Sequence, residues 1–205
     1  MYMSLFRSPP PAAFDLSLAP GLDLHVAFVT PDMGPKIIEG YKRLSERTRR
    51  MRFFGQVSGL SSTQINFLAS PDGRNHIAYA AEEQFADRRA PAGIARCIRL
   101  DPDSKMAEVA MTIVDDYQGK GMGNLLHACL HRHASAVDIK QFIYDVSAEN
   151  TRFIEHLTSL GSDLISRDGE IVRLTLPVFS SVKSVGQRTP SAERFKTALA
   201  TVLDL

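Results

Sequence analysis

Glu108-Val109-Ala110-Met111-Thr112-Ile113-Val114-Asp115-Asp116-Tyr117-Gln118-Gly119-Lys120-Gly121-Met122-Gly123-Asn124-Leu125-Leu126 is the stretch whose reading decides the fold. It opens as an apolar, β-branched run that reads as a strand, turns through three glycines two apart, and enters a helix at the leucine pair. Glycine lets backbone N–H groups face inward with no Cβ in the way. The helix behind adds unpaired N–H groups and the positive end of its dipole. Together they make a cradle for a phosphate or pyrophosphate. A P-loop needs four residues between its first glycine and a Gly-Lys-Ser/Thr, and a dinucleotide fingerprint runs Gly-x-Gly-x-x-Gly after a first strand. The run here is Gly-x-Gly-x-Gly, in mid-chain, and fits neither.

Upstream, residues 76–82 and 93–100 read as neighbouring strands around a polar loop, 84–91. Asp101-Pro102-Asp103 turns into the key strand, which starts near Met106. Strands paired in this way before the glycine loop set the chain apart from a doubly wound parallel sheet. Leu22, Leu24, Val26 and Phe28 alternate with Asp23, His25 and Ala27 as a first strand. Residues 1–20, with Ser8-Pro9-Pro10-Pro11 and Pro20, read as an extended or mobile lead-in. Pro35 opens a helix with the stripe Ile37, Ile38, Tyr41 and Leu44, and residues 62–69 form a second. Arg47, Arg49, Arg50 and Arg52 make a basic cluster, read from composition as a solvated helix end.

Downstream, Leu125, Leu126, Cys129, Leu130 and His133 keep helical spacing to about residue 137. A strand at 141–146, a helix at 150–160 stopped by Gly161, and a hairpin turning at Arg167-Asp168-Gly169 complete the pattern. These elements form one domain over 21–178. Residues 179–205 are a linker and an amphipathic helix built on Phe195, Leu199, Val202 and Leu203.

The 205 residues suit one domain with a substantial core. A net charge of +1 gives no global field favouring nucleic acid or membrane. No apolar run approaches the ~20 residues of a membrane span, and the first residues lack a secretory pattern, so the cytoplasm is the expected compartment. Cys97 and Cys129 sit among apolar neighbours and read as reduced core thiols. His127 and His131 are four apart on one helix, near His133, but no Cys, His or carboxylate cluster joins them, and no metal is expected.

Gln118-x-x-Gly121-x-Gly123 resembles the acyl-CoA pyrophosphate loop of the GCN5-related N-acetyltransferases (GNAT family). The element order over about residues 22–177 matches that family too. Its fold is a mixed α/β one, with a mostly antiparallel sheet flanked by helices and two strands splayed at the acyl-CoA site. Leu44-Ser45-x-x-Thr48-Arg49-x-x-Arg52-Phe53-Phe54 resembles the acetyltransferase domain of bacterial protein lysine acetyltransferases of the Pat type. So does Asp101-Pro102-Asp103 followed by Ala107-Glu108-Val109-Ala110.

The resemblance implies acetyl-CoA as cosubstrate and a protein lysine or a small amine as acceptor. It places Met111, Thr112, Ile113 and Val114 along the pantetheine arm, with Phe142 to Val146 across the slot. Gln118, Gly119, Lys120, Gly121, Met122, Gly123 and Asn124 surround the pyrophosphate, and Asn150 contacts the arm. Arg49 and Arg52 become contacts to substrate or nucleotide. A lysine amine is neutral only about once in 2,500 molecules at pH 7, so a base has to take its proton. Glu108 matches the family's general base, acting through water or from a site where burial raises its pKa. The developing oxyanion needs N–H donors, which an unpaired strand edge supplies. Two departures stand out. Leu157 occupies the place of a tyrosine proposed to protonate the leaving thiolate, with Tyr144 and Tyr117 as weak substitutes, and Ser162 replaces an aromatic. A CoA-binding sensor with little turnover therefore stays open beside the enzyme, as does a homodimer.

Overall fold

The computed structural model describes residues 8–54 and 59–205. The first seven residues of the lead-in and Gly55 fall outside the described part. In chain order the elements are β1 (Ala13–Ala19), β2 (Leu22–Phe28), α1 (Gly34–Lys42), α2 (Glu46–Phe53), α3 (Ser62–Leu68), β3 (His76–Gln84), β4 (Arg89–Arg99) and β5 (Met106–Ile113). After the glycine turn come α4 (Met122–Ala136), β6 (Gln141–Ser147), α5 (Thr151–Ser159), β7 (Asp163–Asp168), β8 (Ile171–Pro177) and α6 (Pro190–Leu203). The strands form one sheet in the order β1-β2-β3-β4-β5-β6-β8-β7. Every neighbouring pair is antiparallel except β5 and β6.

Three elements differ from the sequence reading. Residues 13–19, assigned to the lead-in, are an edge strand whose Phe14 and Leu16 pair with Val26 and Leu24. The alternation of Phe14, Leu16 and Leu18 with Asp15 and Ser17 is a half-buried strand pattern that the nearby prolines overshadow. The loop between β3 and β4 is shorter than 84–91, because pairing runs out to Gln84 and Arg89. The arginine cluster is a helix of its own. Ser45 caps α2 by accepting from the Thr48 N–H at 3.2 Å, and Phe54 ends it in the left-handed region at φ 53°.

The core lies chiefly between the sheet and α4, α5 and α6. Leu125, Leu126 and Leu130 of α4, Phe142 and Tyr144 of β6, and Leu157 of α5 are all buried there. α6 buries Ala192, Phe195, Leu199 and Val202, spaced for one helical face. Arg132 of α4 fastens its end by donating to the Val202 carbonyl, and through Nε to the Ser8 carbonyl at 3.0 Å. No helix among the described residues is long and apolar enough to cross a membrane.

Candidate active site

The site begins where the sheet parts. β5 and β6 pair in parallel at Met106–Gln141, Ala107–Phe142 and Glu108–Ile143, and no further. β6 goes on pairing with β8 as far as Ser147, while β5 goes on pairing with β4 as far as Ile113. Beyond Glu108 the two strands therefore diverge, and the β6-facing edge of β5 has no strand beside it among the described residues. Backbone groups on that edge can pair with an extended ligand in place of the missing strand. The wedge opens into a cleft of about 720 Å³.

At the mouth of the cleft, a 3-10 turn at Asp115–Tyr117 leads through Gln118 into the glycines. Gly119 and Gly121 take φ +79° and +94°, values that L side chains rarely adopt, and Gly121 is the N-cap of α4. Two ties hold the turn. Asp115 accepts from the Ser45 N–H at 2.9 Å and from the Ser45 and Thr48 hydroxyls at 2.7 and 2.8 Å. Burial acts to raise its pKa, but those hydrogen bonds outweigh it and hold the carboxyl below the usual range. Gln118 Nε2 donates to the Ile113 carbonyl at 3.1 Å and to the Thr48 hydroxyl at 3.3 Å. The Ser-x-x-Thr pair of the arginine segment thus anchors the glycine turn from across the site.

Glu108, Met111, Thr112, Ile113, Gln118, Gly119, Gly121, Gly123, Asn124, Asn150 and Arg52 all line the cleft. Asn150 also caps α5, its Oδ1 accepting from the Phe153 N–H at 3.4 Å. Glu108 is exposed on β5. Arg52 is half-buried; desolvation lowers its pKa, and the Glu108 carboxylate opposes that shift.

Four of the expected residues are not on the cleft wall. Val114 is buried, donating its N–H to the Ala92 carbonyl at 2.9 Å. Met122 is buried in the core, and Lys120 lies over the Tyr117 ring. Arg49 donates through Nε to the Leu44 carbonyl at 3.1 Å and packs over Tyr41, which makes it a brace between α1 and α2.

Several cleft residues, among them His156, Ser191 and Arg194, have no role in the sequence reading, and one of them bears on the glycine turn. Arg152, in the first turn of α5, carries its guanidinium over Gly119, with Nη2 3.1 Å from where a Cβ on that glycine would stand. It is exposed, and no carboxylate pairs with it among the described residues. Its position two residues after Asn150 was the available signal.

Neither substitute phenol is free. Tyr117 donates to Glu83 at 2.5 Å, and Tyr144 is buried with its hydroxyl 2.6 Å from His127 Nε2. Leu157 is buried in the core. His127 and His131 make an internal network, with their Nε2 atoms 3.2 Å apart. The Phe179 N–H donates to His131 Nδ1 at 2.9 Å, which places the His131 proton on Nε2. No group of three or more His, Cys, Asp and Glu able to hold a metal occurs among the described residues.

Comparison with known proteins gives a consistent picture. No family model matches the chain. It is 33% identical over 155 residues to "Acetyltransferase Pat" of Mycolicibacterium smegmatis, an alignment covering 73% of this chain and 44% of that one. The chain spans under half the length of the curated relatives it matches. Its fold is similar to the GNAT domain of S. lividans PAT, with a TM-score of 0.73, 21% identity, and coverage of 86% of this chain and 99% of that one. It is also similar to the spermidine N-acetyltransferase of Vibrio cholerae in complex with CoA and spermine, with a TM-score of 0.59 and 13% identity over 76% of this chain and 95% of that one.

Proposed function

Since the chain belongs to the GNAT family, on the side of the Pat-type acetyltransferase domains, we propose that it transfers an acetyl group from acetyl-CoA to a primary amine, a protein lysine. The observation that carries this reading is the wedge between β5 and β6, opened at Glu108 and closed at its mouth by the glycine turn. The pantetheine arm lies along the free edge of β5 as an added strand. The pyrophosphate sits on the N–H groups of the turn and the first residues of α4, within reach of Arg152.

The amine attacks the thioester carbonyl directly. Its proton passes to Glu108, whose exposure leaves room for a bridging water. N–H groups on the β5 edge take the developing oxyanion. The C–N bond forms, the C–S bond breaks, and coenzyme A leaves as a thiolate protonated by solvent. With Leu157 buried and both phenols engaged, no side-chain acid is assigned to that step.

The test is release of free thiol from acetyl-CoA in the presence of a lysine-bearing protein mixture, with acetylated lysines read by mass spectrometry. Turnover with polyamines or amino-sugars alone would move the acceptor to a small amine. Tight CoA binding without turnover on any amine would make the chain a sensor.

A further inference from the structure

Two sets of cleft walls meet at the glycine turn. One is the free edge of β5, leading to Glu108. The other is α5, where Arg152, Glu155, His156 and Ser159 line the cleft at the i, i+3, i+4, i+7 spacing of a single helical stripe. That stripe starts at the turn, because the Arg152 guanidinium stands over Gly119. Against it packs the first turn of α6, which puts Pro190, Ser191 and Arg194 on the cleft wall beside Thr189. α6 begins beyond residues 22–177, so the family resemblance gives its residues no role.

Two hydrogen bonds hold α6 in that place. His156 Nδ1 and the Ser191 hydroxyl are 2.9 Å apart, and the Thr189 hydroxyl donates to the Ser159 carbonyl at 3.3 Å. The charges there are uneven. Arg152 and Arg194 are both exposed, and neither has a carboxylate partner among the described residues. Glu155 is the one carboxylate that α5 and α6 bring to the cleft. Burial and the Arg194 charge lower the His156 pKa to about 4, so its ring is neutral at pH 7. An anion on this side meets two guanidiniums free to donate. With a diphosphate on the turn and the pantetheine arm along β5, the nucleotide of coenzyme A is the part left for the α5–α6 side. It carries one further anion, the phosphate monoester on its ribose. Arg152 serves the turn, which leaves Arg194 as the cation on this side with nothing assigned to it.

We propose that Arg194 binds the ribose 3′-phosphate of coenzyme A, which makes the C-terminal helix part of the cosubstrate site and gives the chain a preference for coenzyme A over dephospho-coenzyme A. This rests on the acyl-transfer reading above and adds to it a residue that selects the nucleotide. No bond is made or broken at Arg194; it acts on binding alone.

The test is calorimetry on the full chain with coenzyme A and dephospho-coenzyme A. The parent protein binds coenzyme A about fivefold to tenfold tighter, between the values for an exposed ion pair and for a hydrogen bond to a charged group. Arg194→Ala weakens coenzyme A alone and brings the ratio of the two affinities to within about twofold of one. Arg194→Gln does the same if the alanine variant fails to fold. Arg188→Ala removes a neighbouring exposed charge that is off the cleft wall, and leaves the ratio as in the parent. Equal binding of the two ligands by the parent overturns the proposal and leaves the acyl-transfer reading standing. So does a ratio that survives the Arg194 variants, or one that Arg188→Ala lowers as far, which makes it an effect of net charge. Binding of neither ligand by the parent removes the acyl-transfer reading itself, and this proposal with it.

Discussion

The guanidinium of Arg152 lies against Gly119, with Nη2 3.1 Å from the position a Cβ would take. A cation is thereby held over a turn whose own N–H groups favour anions. Arg152→Ala is expected to weaken CoA binding by about tenfold to a hundredfold, the range for one charge-assisted hydrogen bond. Calorimetry at two ionic strengths checks it. The loss should shrink at high salt, and an unchanged Kd at low salt would put Arg152 outside the phosphate site.

Gly121→Val tests the turn. A Cβ there meets only Leu18 Cδ1, at 3.8 Å, so crowding from the protein is not the obstacle. The obstacle is φ +94°, which a β-branched residue adopts at a cost of about 1–2 kcal/mol or more. The turn is expected to shift, with thermal stability and CoA affinity falling together. Affinity equal to that of the parent protein would show that the ligand does not use these N–H groups.

Glu108→Gln keeps the shape of the side chain and removes the proposed base. Acyl transfer is expected to fall about a hundredfold to ten-thousandfold, with CoA affinity within about twofold. Stopped assays for free thiol, run beside calorimetry, separate the two quantities. Equal rates in parent and variant would reassign the base.

The histidine network predicts acid lability. Burial lowers the pKa of His131 to about 3 and of His156 to about 4, the latter also facing the Arg194 charge. Burial and the Arg96 guanidinium lower His76 to about 4, against the Asp72 carboxylate. Each folded-state pKa lies below the unfolded value of about 6.5. Each therefore contributes stability that is present above pH ~6.5 and is lost as pH falls toward pH ~4 or ~3. Urea melts from pH 7.5 to 4.5 should show the midpoint dropping from about pH 6.5, before most carboxylates titrate. His131→Gln should flatten that drop, and an unaltered slope would refute the assignment.

The glycine turn, the strand before it and the helix behind it were legible in sequence because local periodicity and three glycines specify them. The tie from Asp115 to Ser45 and Thr48 was not, because it joins residues about 70 positions apart that share no local pattern. Arg49 was read as a ligand contact from its motif, while its hydrogen bond to Leu44 and its packing on Tyr41 depend on how α1 meets α2. Val114 carries the same apolar signature as its neighbours on β5. Its side chain instead faces the space between the sheet and the first helices, which tertiary packing decides. β1 went unseen because the prolines before it, at 9–11, outweighed its alternation.

Among the described residues, three rungs, Met106–Gln141 to Glu108–Ile143, and the Lys105 carbonyl beside them, which accepts from the Lys140 and Gln141 N–H groups, are the main-chain pairing between β5 and β6 that joins the block β1–β5 to the block β6–β8. That seam is where the sheet is most easily prised open, and an extended thioester arm laid into it would act as a stave across both blocks. Cosubstrate capture and mechanical cohesion then draw on the same row of amides. Hydrogen exchange should slow on both flanks of the seam together once coenzyme A is bound.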